Sequence, residues 1–543
     1  MSDLLDAEAA AGLAVYGAAA VPGAVEARAQ LVAEGVPGLL AAKDPTLWGD
    51  AAEAEAKSRL GWIDTHRHSL ALVPQLIDVR NEIRALGLDH VVLAGMGGSS
   101  LAPEVITNTL GVALTVLDTT DPHQIRTALA DRLARTVVVV ASKSGGTVET
   151  DSHRRAYLQA FEDAGLPNID KRFVIVTDPG SPLEATAREM GAFLVLADPE
   201  VGGRYSALTA FGLVPSALAG VNVAELLEQA EALSQSLGRD ENNPALALGA
   251  ALGAAALAGR DKLVLASDGT GIVGLGDWAE QLVAESTGKQ SRGILPVVLE
   301  TPTAPGRSGS DVITTTVGGA LPPGSVPGGG VTPDIAVNGP LGAQFLAWEY
   351  ATAIAGRMLG INPFDQPNVA ESKENTNRIL ESGPPPATPV FVEGAIEVYG
   401  QTTASTVADA LAEFVDRIDP HGYLAVMAYL DRLGDAPTAE IRPALAGRTD
   451  RPVTFGWGPR FLHSTGQYHK GGPQNGSFLQ ITGAVDTDLP VPGRPYTFGE
   501  LQAAQAAGDR QALTGRNRPL LRLHFTNRKP AITQLLSTLE KMA

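Results

Sequence analysis

A few loops and one helix end hold the residues best suited to chemistry. The first loop lies in TVVVVASKSGGTVET, residues 136–150, where an apolar strand runs into hydroxyls and glycines and then into a predicted helix. Ser142, Ser144 and Thr147 offer hydroxyl donors, and Gly145 and Gly146 let the backbone approach a ligand closely. The helix start adds unpaired N–H groups and the positive end of a dipole, so the segment suits a phosphate, with a sugar phosphate as the first ligand to test. The same residues would also serve a serine-rich turn that only caps its helix.

A second glycine-rich turn follows the strand HVVLA: in GMGGSSLAP, Gly95, Gly97 and Gly98 precede Ser99 and Ser100 at the next helix start. The spacing departs from the dinucleotide fingerprint, which needs a third glycine at a different offset. In GGRYS, residues 202–206, Arg204 beside glycines can reach a developing oxyanion or make a structural ion pair. Glu285 ends the amphipathic stretch WAEQLVAESTGK, residues 278–289, where a carboxylate is either solvated or a general base held against apolar neighbours. His463 and His469, in RFLHSTGQYHKGGP, are open to acid–base work. They lack the HExxH pattern and a carboxylate at a familiar metal-ligand spacing.

The elements that must position these groups are legible as alternation. Short apolar runs at HVVLA, LTVLD, TVVVVA, RFVIVT and AFLVL, separated by helical lengths, predict a parallel sheet with helices on both faces. A second αβ unit begins near Asn243 with KLVLA at 262–266. Residues 301–340, crowded with Gly, Pro and Ser, read as irregular covering loops. A break at GPPP, residues 383–386, precedes a further αβ stretch and a terminal amphipathic helix. Residues 1 to about 75 read as Ala- and Glu-rich helices. The expected division is 1–75, a helical segment; 76–235 and 236–385, two doubly wound αβα units; and 386–543, a C-terminal αβ region.

Bulk composition narrows the partners. With 543 residues, 44% of them hydrophobic, the chain can bury more than one core. A net charge of -19 argues against nucleic acid or an anionic membrane as main partner, yet local donors can still hold a small phosphate. The absence of Cys removes disulfides, thiolate nucleophiles and Cys-ligated zinc. The N-terminal stretch carries Asp3, Asp6 and Glu8 in place of a basic signal-peptide start, and the apolar runs fall short of a bilayer span. A cytoplasmic protein is the simplest reading.

Taken together, GMGGSSLAP, SKSGGTVET, GGRYS, ESTGK and INPFDQPNVAESK resemble, in that order, the motifs of the phosphoglucose isomerase family of the sugar isomerase (SIS) fold, over about residues 75–385. The resemblance implies an aldose–ketose isomerase acting on glucose 6-phosphate and fructose 6-phosphate without metal or redox cofactor, and a homodimer with a shared site. It implies that Glu285 carries a proton between C1 and C2, Arg204 stabilises the enediolate, and Lys373 and a histidine open the ring. Gly97, Gly98, Ser99, Ser142, Lys143, Ser144 and Thr147 would line the substrate, with Gln366 near Lys373 contacting sugar or phosphate. One departure stands out: the family's ring-opening histidine normally lies between the glutamate and the FDQ segment, but residues 286–365 contain no His. The expectation falls on His469, with His463 second. Both lie in a longer C-terminal region that resembles the isomerase half of fused transaldolase–isomerase proteins. A related isomerase of mannose 6-phosphate or an amino sugar, and a non-catalytic sugar-phosphate sensor, are the competing readings. A glutamine-dependent synthase is disfavoured, since it would need a Cys nucleophile.

Overall fold

The structure, a computed structural model, describes residues 7–322, 324–383 and 386–542. Asp3, Asp6 and two residues of the expected GPPP break, 384 and 385, lie outside the described residues. Three sheets organise the chain. It opens on an antiparallel hairpin, β1 (Ala7–Ala10) and β2 (Leu13–Tyr16), where the sequence predicts a helix. β2 also pairs antiparallel with residues 336–338 and buries Leu13 and Val15, so tertiary pairing overrides the helix preference of an alanine-rich run.

The first sheet is parallel throughout: β3 (His90–Gly95), β4 (Thr115–Leu117), β5 (Thr136–Ala141), β6 (Phe173–Thr177) and β7 (Phe193–Leu196), ordered β4-β3-β5-β6-β7. Its valine-rich strands are buried on both faces, as a sheet covered by helices requires. The strand order reverses between β3 and β5, which opens a crevice at their carboxyl ends. Both glycine-rich loops emerge there, the second leading into α1 (Val148–Asp163).

The second sheet contains parallel β8 (Lys262–Ser267), β9 (Leu295–Leu299), β10 (Val312–Gly318) and β11 (Ile335–Asn338), with the N-terminal hairpin on the β11 edge. β10 and β11 fall inside the stretch expected to be irregular. Both are framed by Gly and Pro, which hide runs (VITTTVG and IAVN) that suit a strand in themselves; β10 pairs with β8, and β11 with β10 and β2. Between β8 and β9 runs α2 (Leu275–Thr287), and beyond the sheet come α3 (Leu341–Met358) and α4 (Val369–Ser382).

The third sheet is mixed: β12 (Phe391–Glu393), β13 (Ile396–Gly400), β14 (Tyr423–Tyr429), β15 (Val453–Trp457), β16 (Gly476–Gly483) and β17 (Leu520–Phe525), ordered β12-β13-β17-β16-β14-β15. Helices α5 (Gly466–Gly471), α6 (Phe498–Thr514) and α7 (Arg528–Met542) accompany it. Tyr423, Tyr429, Phe461, Tyr468 and Phe478 share an apolar cluster with Val264, Leu295 and Val297, so the third sheet is packed onto the second. That contact brings α5 against the end of α2. Among the described residues no helix is long and apolar enough to cross a membrane.

One buried group in α3 makes a pH prediction. Glu349 is fully buried, neither carboxyl oxygen has a partner, and burial raises its pKa well above 4.5. The folded state therefore keeps a proton that the unfolded chain releases. Above the ordinary carboxyl pKa the unfolding free energy should fall by about 1.4 kcal/mol per pH unit until the raised pKa is reached. Glu349→Gln removes this slope, so its urea midpoint relative to the parent protein should rise as the pH climbs above the ordinary carboxyl range. A pH-independent difference would mean that the carboxyl is ionised in the fold.

Candidate functional site

The phosphate-type loop is organised by its hydroxyls. Ser142 is buried, its Oγ 2.9 Å from Thr147 Oγ1, and its carbonyl accepts from Thr177 Oγ1 at 2.7 Å. Thr147 occupies the N-cap of α1 in extended conformation and makes no side-chain cap bond, so its hydroxyl is not spent on the helix. Ser144 is exposed and accepts from the Gly146 N–H at 3.3 Å. Lys143 is turned to Asp178 and the Pro199 carbonyl, an ion pair that commits its ammonium within the first sheet.

Gly146, Thr147, Val148 and Glu149 line a cavity of about 110 Å³ together with Lys373, Leu462, His463, Lys470 and Gln505. Glu149, in the first turn of α1, is the residue sequence reasoning missed. His463 Nε2 lies 3.0 Å from its Oε1, and Gln505 Nε2 donates to the same oxygen at 2.6 Å. Burial alone would raise this carboxyl, but the His463 imidazole, Glu149's own backbone N–H and Lys373 bring it down to about 2. An ionised carboxylate only accepts, so it fixes His463 with the N–H on Nε2 and leaves Nδ1 for exchange. Arg460, three residues earlier, anchors the turn by pairing with Asp118, just past β4, and with Glu104, in the helix that follows the first glycine loop.

His469 is placed differently. It is buried in the third sheet's aromatic cluster, its ring stacked 5.7 Å from Tyr423 and edge-on to Phe478 at 5.2 Å, with Nδ1 2.9 Å from Tyr423 Oη. Burial pushes its pKa well below the usual range, with Lys470 and Arg518 adding to the effect. Of the two histidines named from sequence, the cavity takes His463, and His469 serves packing. His469, ranked first from sequence as the ring-opening group, does not line the cavity.

Glu285 ends α2 in the last helical turn and is buried, its Oε2 3.5 Å from Arg204 Nη1 and accepting from Gln281 Nε2 at 3.1 Å. Arg204 is likewise buried. Its Nε donates to Ser286 Oγ at 2.9 Å, Nη1 to Gln366 Oε1 at 3.2 Å, and Nη2 to the carbonyls of Pro363 and Asp365 at 2.8 and 2.9 Å. Lys289 holds the same segment through Asn362 O and Asp365, and burial, with Arg204 nearby, lowers its pKa to about 8. ESTGK and NPFDQ, 73 residues apart at Lys289 and Asn362, are thus joined by two cations. Lys373, on α4, is exposed at the cavity.

Two glycines let these parts meet. A Cβ on Gly97, at φ +54°, would stand 2.7 Å from His463 O and 2.8 Å from Gln281 Nε2, the amide that contacts Glu285. A Cβ on Gly98 would fall 1.8 Å from Gly203 O, so the first glycine loop and the arginine loop touch through bare backbone. Ser99 is buried in the same turn. Gly98→Ala should therefore cost about 1–3 kcal/mol in urea unfolding, because the Gly203 carbonyl and the arginine loop must shift. Unchanged stability would show that the two loops separate freely.

Two parallel αβ sheets with ligand loops at their carboxyl ends, crossed by a buried acid–cation pair, define an α/β protein of the sugar isomerase (SIS) fold. Residues 83–309 match the family model described as phosphoglucose isomerase. The chain is 35% identical over 216 residues to a probable glucose-6-phosphate isomerase of Haloarcula marismortui, covering 38% of this chain and 49% of that protein. It is 37% identical over 216 residues to the chloroplastic glucose-6-phosphate isomerase 1 of Arabidopsis thaliana, covering 37% and 35%. The match therefore spans half or less of these relatives' lengths. Among solved structures, a hypothetical protein of Thermus thermophilus aligns with TM-score 0.55 and 25% identity, covering 66% of this chain and 98% of that one. A glucose-6-phosphate isomerase of Chlamydia trachomatis aligns with TM-score 0.54 and 20% identity, covering 70% and 90%, a likeness of fold.

Proposed function

We propose that the protein interconverts glucose 6-phosphate and fructose 6-phosphate through a cis-enediol intermediate. The observation that carries this reading is the buried Glu285 carboxylate 3.5 Å from the Arg204 guanidinium, one glutamine away from the turn that carries His463. In the proposed reaction Nδ1 of His463, oriented by Glu149, takes the proton of the C1 hydroxyl and delivers it to the ring oxygen as the bond between C1 and that oxygen breaks, and the sugar opens. Glu285 then takes the proton from C2 and returns it to C1 on the same face, while the charge that develops on oxygen is met by Arg204. A preorganised donor at such a position is worth about 3–4 kcal/mol. The phosphate would lie against the hydroxyls of Ser142, Ser144 and Thr147 and the start of α1, with Lys373 at the cavity rim. Only protons move, so the chemistry calls for no redox group.

Side-by-side assays with glucose 6-phosphate, mannose 6-phosphate and an amino-sugar 6-phosphate, without added metal, test the reading. The highest kcat/KM is expected for glucose 6-phosphate. Preference for another sugar would move the assignment to that isomerase, and binding without turnover would make the protein a sensor. The same reading places the protein in the cytoplasm as a homodimer with a shared site, and a monomer with full turnover in light scattering would overturn the shared site.

A further inference from the structure

The third sheet carries a second concave surface, separate from the cavity around His463. Along β17 the side chains alternate: Leu521, Leu523 and Phe525 enter the apolar core, whereas Arg522 and His524 lie on the opposite face. Register places Tyr399 of β13 across from Arg522, and Gln480 and Thr482 of β16 beside Arg522 and His524. Helix α6 walls this face, with Gln480 Nε2 donating to Ala506 O at 2.8 Å. Two adjoining cavities of about 780 and 310 Å³ result, sharing Tyr399, Arg510 and Arg522.

Four guanidinium groups, Arg417, Arg510, Arg518 and Arg522, line the larger cavity of a protein whose net charge is -19. Arginines partly withdrawn from water, as the half-buried Arg510 and Arg522 are, are ordinarily matched by carboxylates. Here the central two are not. Among the described residues Arg510 makes one hydrogen bond, to Gln480 Oε1 at 3.1 Å, and Arg522 lies 3.6 Å over the Tyr399 ring with its Nε unpartnered. Among the described residues neither has an ion pair. Two acids stand nearby without pairing with them: Glu397, which accepts from Tyr399 Oη at 2.6 Å, and Asp509, which pairs with Lys470 at 2.7 Å. Arg518 is spent on the carbonyls of Lys470, Gly472 and Pro473, with its Nε unpartnered, so it contributes charge to the wall. Arg417 holds the Gln401 carbonyl at 3.2 Å and reaches Glu413 at 3.5 Å. The smaller cavity adds two deeply buried polar atoms without partners, Tyr429 Oη and Gln502 Nε2. Burial and repulsion from Arg522 bring the Arg510 pKa down to about 10, so the pair is a positive charge held in the fold at a cost.

We propose that this groove is a second ligand site, for a small polyanion carrying two or more phosphate groups, one of which bridges Arg510 and Arg522. Planar guanidinium forks pair with phosphate oxygens in bidentate geometry, and one such anion would satisfy both unmatched charges. The larger cavity leaves room for a second phosphate toward Arg417 and for an organic portion along Tyr399. The site is independent of the isomerase reading, because binding is measured without turnover.

Inorganic pyrophosphate is the probe, titrated calorimetrically into the full chain and into the variants Arg510→Gln/Arg522→Gln and Thr147→Val. The parent protein and Thr147→Val should share a saturable site that the double arginine variant binds at least about tenfold more weakly. Circular dichroism and thermal melting establish that the double variant is folded. Arg510→Lys, which keeps the charge but loses the fork, should give intermediate affinity. Equal binding by the parent and the double variant, or no saturable binding by the parent up to about 1 mM, would overturn the proposal. Loss of binding in Thr147→Val alone would do the same, by placing the pyrophosphate at the first site.

Discussion

Glu285→Gln should abolish turnover while leaving the protein folded. The two side chains have nearly the same shape, and the surroundings of Glu285 do not depend on its charge for their own bonds. Arg204 keeps Ser286 Oγ, the Pro363 and Asp365 carbonyls and Gln366, and the helix that carries residue 285 is buried through Trp278, Leu282 and Val283. What the amide cannot do is accept and return a proton. In the proposed reaction one group performs both transfers, so kcat should fall by about 10⁴-fold, the upper end for a general base. KM should change little, because the phosphate end of the substrate is held elsewhere. A coupled assay of fructose 6-phosphate formation, with a thermal melt on the same preparation, checks both halves. Turnover within tenfold of the parent protein would remove Glu285 as the base.

The two histidines should separate cleanly. His463→Asn is expected to lower kcat by about 10²–10³-fold, the range for one positioned acid–base group, with the melting temperature nearly unchanged, since the ring is partly exposed at the cavity. His469→Ala should do the reverse. It deletes a ring packed between Tyr423 and Phe478 and leaves a buried Tyr423 hydroxyl without its partner, a loss of about 3–5 kcal/mol by analogy with buried aromatic truncations, while the folded fraction keeps its kcat. Urea unfolding and initial rates on both variants decide the assignment. A folded His469→Ala that is catalytically dead, beside an active His463→Asn, would reverse it. Glu149→Gln should share the kinetic defect of His463→Asn in weaker form, because it removes the carboxylate that orients the imidazole.

Much of this was legible locally. The five strands of the first sheet stand out because runs such as TVVVVA are β-branched and continuous, the pattern of strands buried on both faces, and the loops after them announce themselves by glycine and hydroxyl content. Glu285 at a helix end and Arg204 between glycines are visible for the same reason. The hairpin at Ala7–Tyr16 and the strands β10 and β11 were not, because alanine prefers helix in the hairpin and the Gly- and Pro-rich flanks hide the brief runs VITTTVG and IAVN. Their conformation comes from partners paired across the sheet, hundreds of residues away for β2 and β11.

From the sequence alone came the α/β class, the order of the ligand loops and the residue types able to move a proton beside a carbonyl. The tertiary structure alone decided which imidazole faces the cavity. His463 and His469 sit six residues apart in one segment, but one meets Glu149, 314 positions distant, and the other enters an aromatic core. Spacing and periodicity report forces that act within a turn or a strand. The charge partner of His463, like the unmatched arginines of the third sheet, depends on which distant surfaces the packing brings face to face.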